Sequence, residues 1–89
     1  MRRTPLHWAA WNGNLDICKL IIDKVQNKNP ANVNGWTPLH YAARGGHFDV
    51  CRLIIANVDD IHPRNNNGET PKYFADKKNN PIFSRLFQN

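Results

Sequence analysis

The sequence predicts an all-α repeat solenoid, in which helix-turn-helix pairs stack in a row and hairpin-like loops project between the pairs. Two observations predict this class. A Thr-Pro dipeptide recurs at Thr4, Thr37 and Thr70, at intervals of 33 residues both times, and a fixed period of this length is typical of stacked repeats. In addition, segments 4–36 and 37–69 are identical at 17 of their 33 aligned positions.

Each Thr-Pro pair predicts the start of the first helix of a repeat. The threonine hydroxyl can cap backbone N–H groups, and proline fits the first helical position. His7 and His40 follow at the third helical position, from which a side chain can reach back to the cap. We therefore interpret both histidines as capping groups instead of catalytic bases. Gly13 and Gly46 are expected to end these helices in a left-handed conformation.

The second helix of each repeat is predicted over LDICKLIIDKV from Leu15 and over FDVCRLIIANV from Phe48. Its apolar residues are so dense that we expect both sides of this helix to be covered by neighbouring helices. Cys18 and Cys51 occupy equivalent positions in successive repeats. Stacked helices lie about 8 to 10 Å apart, which exceeds the Cα separation of a disulfide, so we interpret both cysteines as buried and reduced.

Polar connections, NKNPANVNGW and DIHPRNNNGE, follow the second helices. Each contains a proline and an Asn-Gly pair, and this pair accepts positive φ. Each connection is therefore predicted to be a projecting turn or irregular hairpin that leads into the next Thr-Pro cap.

These motifs together resemble ankyrin repeats. The residues that carry the resemblance are TPLHWAA with Gly13, TPLHYAA with Gly46, the blocks ICKLII and VCRLII, and the two NxNG turns. In the third copy Lys72 and Asp76 replace apolar residues, which is typical of a C-terminal capping repeat. The resemblance implies one ankyrin-repeat domain over residues 1–89, with repeats at 4–36 and 37–69 and the capping repeat at 70–89.

The resemblance also implies a protein-protein interaction scaffold that has no catalytic activity and needs no cofactor or metal. Ankyrin arrays bind partner proteins through their loop tips and through the groove along their first helices. The family's variable positions lie before each threonine, before each turn glycine and after each Ala-Ala pair. In this sequence the corresponding partner-binding candidates are Arg3, Trp11, Asn12, Val33, Asn34, Trp36, Arg44, Asn66, Asn67, Glu69, Lys77 and Lys78.

Three of these candidates, Trp11, Trp36 and Arg44, stand out because Trp and Arg are the commonest hot-spot residues. We expect their joint replacement by alanine to abolish partner capture and to leave thermal melting nearly unchanged. The alternative is that both tryptophans lie over neighbouring loops and that Arg44 stacks on one of them as an internal cation-π pair.

Other functions compete with protein binding. The net charge of +5 is concentrated towards the chain ends and could hold nucleic acid weakly, but there is no recognition-helix motif and no regular basic face. His47 and Cys51 have the spacing of two metal ligands, yet no third or fourth ligand is evident, so we interpret His47 as a helix-start residue. A purely structural segment of a longer ankyrin array is the remaining alternative.

The start of the sequence raises the question of what covers the first repeat. Only three residues precede Thr4, so Leu6, Trp8 and the apolar side of the first helix pair are expected to face solvent. Either the chain is a segment of a longer array, or another molecule, such as a second copy, covers this edge. No signal-peptide core and no apolar run of roughly 20 residues is present, which predicts an intracellular protein, cytoplasmic or nuclear, without a membrane partner.

Overall fold

The computed structural model describes residues 4–88, which form α-helices and contain no strand. This confirms the predicted all-α repeat class. None of the helices within this range is long and apolar enough to cross a membrane. The helices are α1 (Pro5–Asn12), α2 (Leu15–Ile22), α3 (Pro38–Gly45), α4 (Phe48–Ile55), α5 (Pro71–Asp76) and α6 (Pro81–Arg85).

The helices form two layers. Helices α1, α3 and α5 pack side by side in a front layer, and α2, α4 and α6 pack behind them as the second members of three helix pairs. Ala10, Ala42, Ala43 and Ala75 are completely buried in the core. Because alanine adds so little bulk, these positions let neighbouring helices approach closely, as the sequence predicts.

Reciprocal hydrogen bonds begin the first two front helices. The Thr37 hydroxyl accepts a hydrogen bond from the His40 backbone N–H (3.3 Å), and the Thr37 backbone N–H donates to His40 Nδ1 (3.1 Å). Thr4 and His7 make the same pair of bonds at the start of α1. The predicted capping role of both histidines is therefore confirmed.

The other imidazole nitrogen of each ring holds the residue that leads into the next repeat. His7 Nε2 lies 2.8 Å from the Trp36 carbonyl oxygen, and His40 Nε2 lies 2.8 Å from the Glu69 carbonyl oxygen. Since Nδ1 of each ring accepts a backbone N–H, the ring proton belongs on Nε2, which donates to the carbonyl. Each neutral histidine thus fixes the residue that precedes the next Thr-Pro cap.

Left-handed residues end the first two front helices. Gly13 has φ 72° and Gly46 has φ 76°, and both lie at the C-terminal cap, as predicted. In the third copy α5 ends earlier, with Lys77 as a right-handed C-terminal cap, and Asn79 occupies the equivalent glycine position with φ 56°. Asn is the residue besides glycine that most readily adopts this conformation, so the turn after α5 includes a left-handed residue without glycine.

Two buried asparagines shape the projecting loops. Asn32 Oδ1 accepts hydrogen bonds from the backbone N–H groups of Asn34 and Trp36, both at 3.0 Å. Asn65 repeats this arrangement in the second loop. Because the side-chain amide satisfies the backbone of a tight turn, each loop tip holds a defined shape.

The first helix pair corrects two expectations. Leu6 is only 2% exposed, because it lies beside Ile21 and Val25 of its own helix pair and does not need an upstream neighbour. The expectation that both sides of the second helix are covered is wrong for α2, where Ile17 is 45% and Leu20 is 60% exposed. The expected exposure of Trp8 and of the apolar side of this helix pair is confirmed, since Trp8 is also exposed. Within residues 4–88 no helix pair packs on that side of α2.

Both cysteines are buried and form no disulfide within the described residues, as expected. Burial raises the pKa of the Cys18 thiol to about 11 and also raises the pKa of Cys51. A thiol with a raised pKa carries little thiolate at neutral pH and reacts slowly. Both side chains therefore act as small apolar residues in the back layer.

The last helix, α6, was not predicted. Asn80 caps it by accepting hydrogen bonds from the backbone N–H groups of Ile82 (3.0 Å) and Phe83 (3.3 Å). Phe83 and Phe87 are buried, and the Phe83 ring lies 6.1 Å from the ring of Phe48 in α4. The two phenylalanines thus close the core at the C-terminal end of the stack.

Candidate functional site

Five aromatic rings follow one another across the front layer, and we call them the aromatic row. Trp11 on α1 lies 5.9 Å from Tyr41 on α3, centroid to centroid, and Tyr41 lies 5.0 Å from Trp36 in the loop before α3. Trp36 lies 4.9 Å from Phe74 on α5, which lies 5.1 Å from Tyr73. The row therefore crosses all three repeats.

Two cations lie over rings of this row. The guanidinium carbon of Arg44 is 5.5 Å from the centroid of Trp36, and the Lys77 ammonium is 4.6 Å from the centroid of Tyr73. Both distances are within the range of a cation-π interaction. The internal stacking of Arg44 on a tryptophan, one of the two alternatives from the sequence, is therefore present, with Trp36 as the ring.

The front surface has two depressions that meet at Arg44. The larger has a volume of about 500 Å³, and the smaller has a volume of about 250 Å³. We call them together the groove. The smaller depression is lined by His7, Trp8, Trp11, Tyr41 and Arg44. The larger is lined by Trp36, Arg44, Asn67, Glu69, Tyr73, Phe74, Lys77 and Lys78.

The larger depression brings together candidates from separate parts of the sequence. Trp36 comes from the loop before α3 and Arg44 from α3 itself, Asn67 and Glu69 come from the loop before α5, and the two lysines directly follow α5. Trp11 joins them through the smaller depression, which shares Arg44. These seven candidates thus lie along one continuous surface.

The remaining candidates lie elsewhere. Val33 and Asn34 form an exposed loop tip that lines neither depression. Asn66 holds this tip to the next loop, because its backbone N–H donates to the Asn34 carbonyl (3.0 Å) and its side chain donates to the Val33 carbonyl (3.1 Å). Asn12 is exposed at the end of α1 and also lines neither depression. Arg3 lies outside the described residues.

Trp36 and Glu69 have structural contacts as well as a place in the groove. Trp36 is half-buried between Tyr41 and Phe74, and its centroid is 5.6 Å from the ring of His40. Glu69 Oε1 accepts a hydrogen bond from the side-chain amide of Asn65 (2.9 Å). These contacts argue against the expectation that Trp36 can be removed without loss of stability, whereas Trp11 is exposed.

Sequence reasoning assigned no binding role to Tyr41, Phe74 or Tyr73. A signal was nevertheless available for two of them. Trp8, Tyr41 and Phe74 occupy the same position of the repeat, four residues after the threonine, and are all aromatic. A ring retained at one position of every copy predicts that this position lies on a shared surface.

His47 has a structural partner. Its Nε2 donates a hydrogen bond to the Trp11 carbonyl (2.8 Å), and the ring packs beneath Gly13 so closely that a Cβ atom there would overlap it. Among residues 4–88 no group of three or more His, Cys, Asp or Glu side chains could hold a metal ion. His47 thus joins the start of α4 to the end of α1.

Comparisons with known proteins identify relatives of this architecture. A family model described as ankyrin repeats in three copies matches residues 6–89. The crystal structure of the human ASB11 ankyrin repeat domain is similar, with a TM-score of 0.88 and 28% sequence identity. This match covers 96% of the present chain and 38% of the human chain, so the chain spans well under half the length of that relative. No curated protein matches the sequence.

Proposed function

Since the chain belongs to the ankyrin repeat family, we propose that it binds a partner protein through the groove. Ankyrin repeats are generally protein-protein interaction modules and are generally non-catalytic. We assign the partner's main contacts to Trp11, Trp36, Arg44, Lys77 and Lys78. Asn12 at the end of α1, the loop residues Val33, Asn34, Asn66, Asn67 and Glu69, and Arg3 of the N-terminal sequence contribute further contacts.

One observation carries the proposal: residues singled out by their repeat positions converge on one depression of about 500 Å³, although they come from separate repeats. Tryptophan and arginine supply large contact areas with few rotatable bonds, so little conformational entropy is lost when a partner binds. Ring contacts with Tyr41 and Phe74 already hold Trp36 in place. The surface is therefore preorganised for binding.

We also propose that the binding unit consists of repeats 4–36 and 37–69 with a capping repeat at 70–89. We propose in addition that the protein acts inside the cell. The buried Phe83 and Phe87 close the last repeat, which supports its capping role.

Affinity capture from an extract of the source cells tests the function. We expect wild-type protein to retain a partner that the Trp11→Ala/Arg44→Ala/Lys77→Ala variant does not retain, because this variant removes one contact from each of the three repeats. The control is Lys19→Ala/Lys24→Ala/Arg52→Ala, which alters exposed residues of the back layer. Equal capture by all three proteins would contradict the proposal. Circular dichroism checks that each variant remains folded.

A further inference from the structure

We propose that the groove binds an acidic segment of the partner protein, in which Asp or Glu side chains accompany apolar ones. The inference rests on the proposed function and specifies the chemistry of the partner. Its basis is the charge of the larger depression and the way in which its cations are held.

The larger depression carries an excess of positive charge. Arg44, Lys77 and Lys78 line it, against the single carboxylate of Glu69, so the cations outnumber the acids by three to one. The Glu69 carboxylate already accepts a hydrogen bond from Asn65. An acidic partner segment would therefore meet three cations and only one carboxylate, which already accepts a hydrogen bond within the protein.

None of the three cations is neutralised within residues 4–88. The ion pair nearest in sequence joins Lys72 Nζ to Asp76 Oδ2 at 2.9 Å, and neither residue lines the groove. Arg44 and Lys77 instead lie over the rings of Trp36 and Tyr73. A cation held by a ring face has not used its N–H donors on a carboxylate, so these donors stay available to a partner's Asp or Glu.

The aromatic row explains why the partner segment should also carry apolar side chains. Trp11 and Tyr73 are large exposed apolar groups at the two ends of the row, next to the cations. Apolar groups of a partner would cover these rings and exclude water from the neighbouring charges, which strengthens the ion pairs. A segment made only of acidic residues would leave the rings in water.

The ring arrangement favours a protein segment over a nucleic acid. Sequence-tolerant binding of single strands depends on open ring faces on which bases stack. Trp36 is packed between Tyr41 and Phe74 and is covered by Arg44, while Lys77 lies over Tyr73. Few ring faces of the groove are thus left for bases to stack on, and three cations supply few phosphate contacts.

Selection from a random peptide library displayed on yeast tests the inference with the full chain. We expect binders selected by the wild-type protein to be enriched in Asp and Glu with interspersed apolar residues. Affinity for a synthetic selected peptide should fall about tenfold with Arg44→Gln/Lys77→Gln/Lys78→Gln. The matched control Lys19→Gln/Lys24→Gln/Arg52→Gln removes the same net charge from the back layer and should leave this affinity unchanged.

The outcomes separate this inference from the proposed function. Peptides that need Trp11 for binding but show no acidic enrichment would overturn the acidic partner and leave protein binding through the groove intact. Equal losses of peptide affinity in both triple-glutamine variants would also overturn the acidic partner, because binding would then depend only on the overall charge of the protein. Peptides whose binding is indifferent to Trp11, Arg44 and Lys77 would overturn the proposed function itself. Tighter binding of a single-stranded oligonucleotide than of any selected peptide would replace the acidic segment with nucleic acid.

Discussion

His40 on α3 holds Glu69, the last residue before the third repeat, because the imidazole Nε2 donates to the Glu69 carbonyl oxygen at 2.8 Å. The opposite nitrogen, Nδ1, accepts the backbone N–H of Thr37. Both bonds require a neutral ring with its proton on Nε2, since protonation of Nδ1 would remove the acceptor. The connection between repeats therefore depends on the protonation state of a buried histidine.

Acidification should destabilise the protein through His40. Burial lowers the pKa of His40 below its ordinary 6.5, so between the two values the unfolded chain binds more protons than the folded one. The contribution of neutral His40 to stability is present above pH 6.5 and is lost as the pH falls below 6.5. We expect urea denaturation to give a smaller free energy of unfolding at about pH 5.5 than at about pH 7.5.

The control for this pH dependence is His40→Gln. Glutamine can keep the reciprocal cap with Thr37 but does not titrate. The variant should lose less stability than the wild type over the same pH interval. Equal losses in the two proteins would assign the pH dependence to other groups.

Alanine at Gly13 should destabilise the protein more than alanine at Gly68. Both glycines have positive φ, 72° and 79°, so each substitution costs about 1 to 2 kcal/mol of backbone strain. A Cβ atom at Gly13 also overlaps the imidazole of His47, whereas one at Gly68 meets open space. We expect chemical denaturation to show an additional loss of at least about 1 kcal/mol for Gly13→Ala.

The double variant Gly13→Ala/His47→Ala separates the two causes. Removal of the imidazole should abolish the overlap, so adding Gly13→Ala to His47→Ala should cost only about as much as Gly68→Ala costs in the wild type. A Gly13→Ala cost that is unchanged by His47→Ala would show that the overlap makes no contribution.

Local signals made much of the fold predictable. The reciprocal cap of Thr37 and His40 and the left-handed Gly46 depend on residues only a few positions apart, so the sequence itself carries the geometry. Asn80 and Pro81 carry the same cap and first-turn signal for α6. That helix was missed because the third copy departs from the apolar pattern of the other two.

Contacts between distant residues were less predictable. The exposure expected for Leu6 was wrong, because periodicity identifies an apolar face but not which neighbour covers it. The stacking of Arg44 on Trp36 likewise depends on how a loop lies against the end of α3. The equivalence of repeats predicts which positions share a surface, whereas the ring order across that surface depends on packing.

Trp36 and Trp11 should differ in their effects on stability. Trp36→Ala removes contacts with Tyr41, Phe74 and His40 and should lower the free energy of unfolding by about 2 kcal/mol or more. Trp11→Ala removes an exposed ring that contacts Tyr41, and it should cost less than about 1 kcal/mol. Thermal and urea denaturation measure both values. Equal costs would mean that the packing of Trp36 is not what stabilises the second repeat.

Equivalent positions of α2 and α4 should respond unequally to truncation. Ile17 in α2 corresponds to Val50 in α4, but Ile17 is 45% exposed and Val50 is 1% exposed. Ile17→Ala removes more atoms, yet it should cost only about 1 kcal/mol, because the side chain is already partly in water. Val50→Ala leaves a cavity in the core and should cost about 2 kcal/mol. A larger cost for Ile17→Ala in urea denaturation would show that its side of α2 is covered in solution.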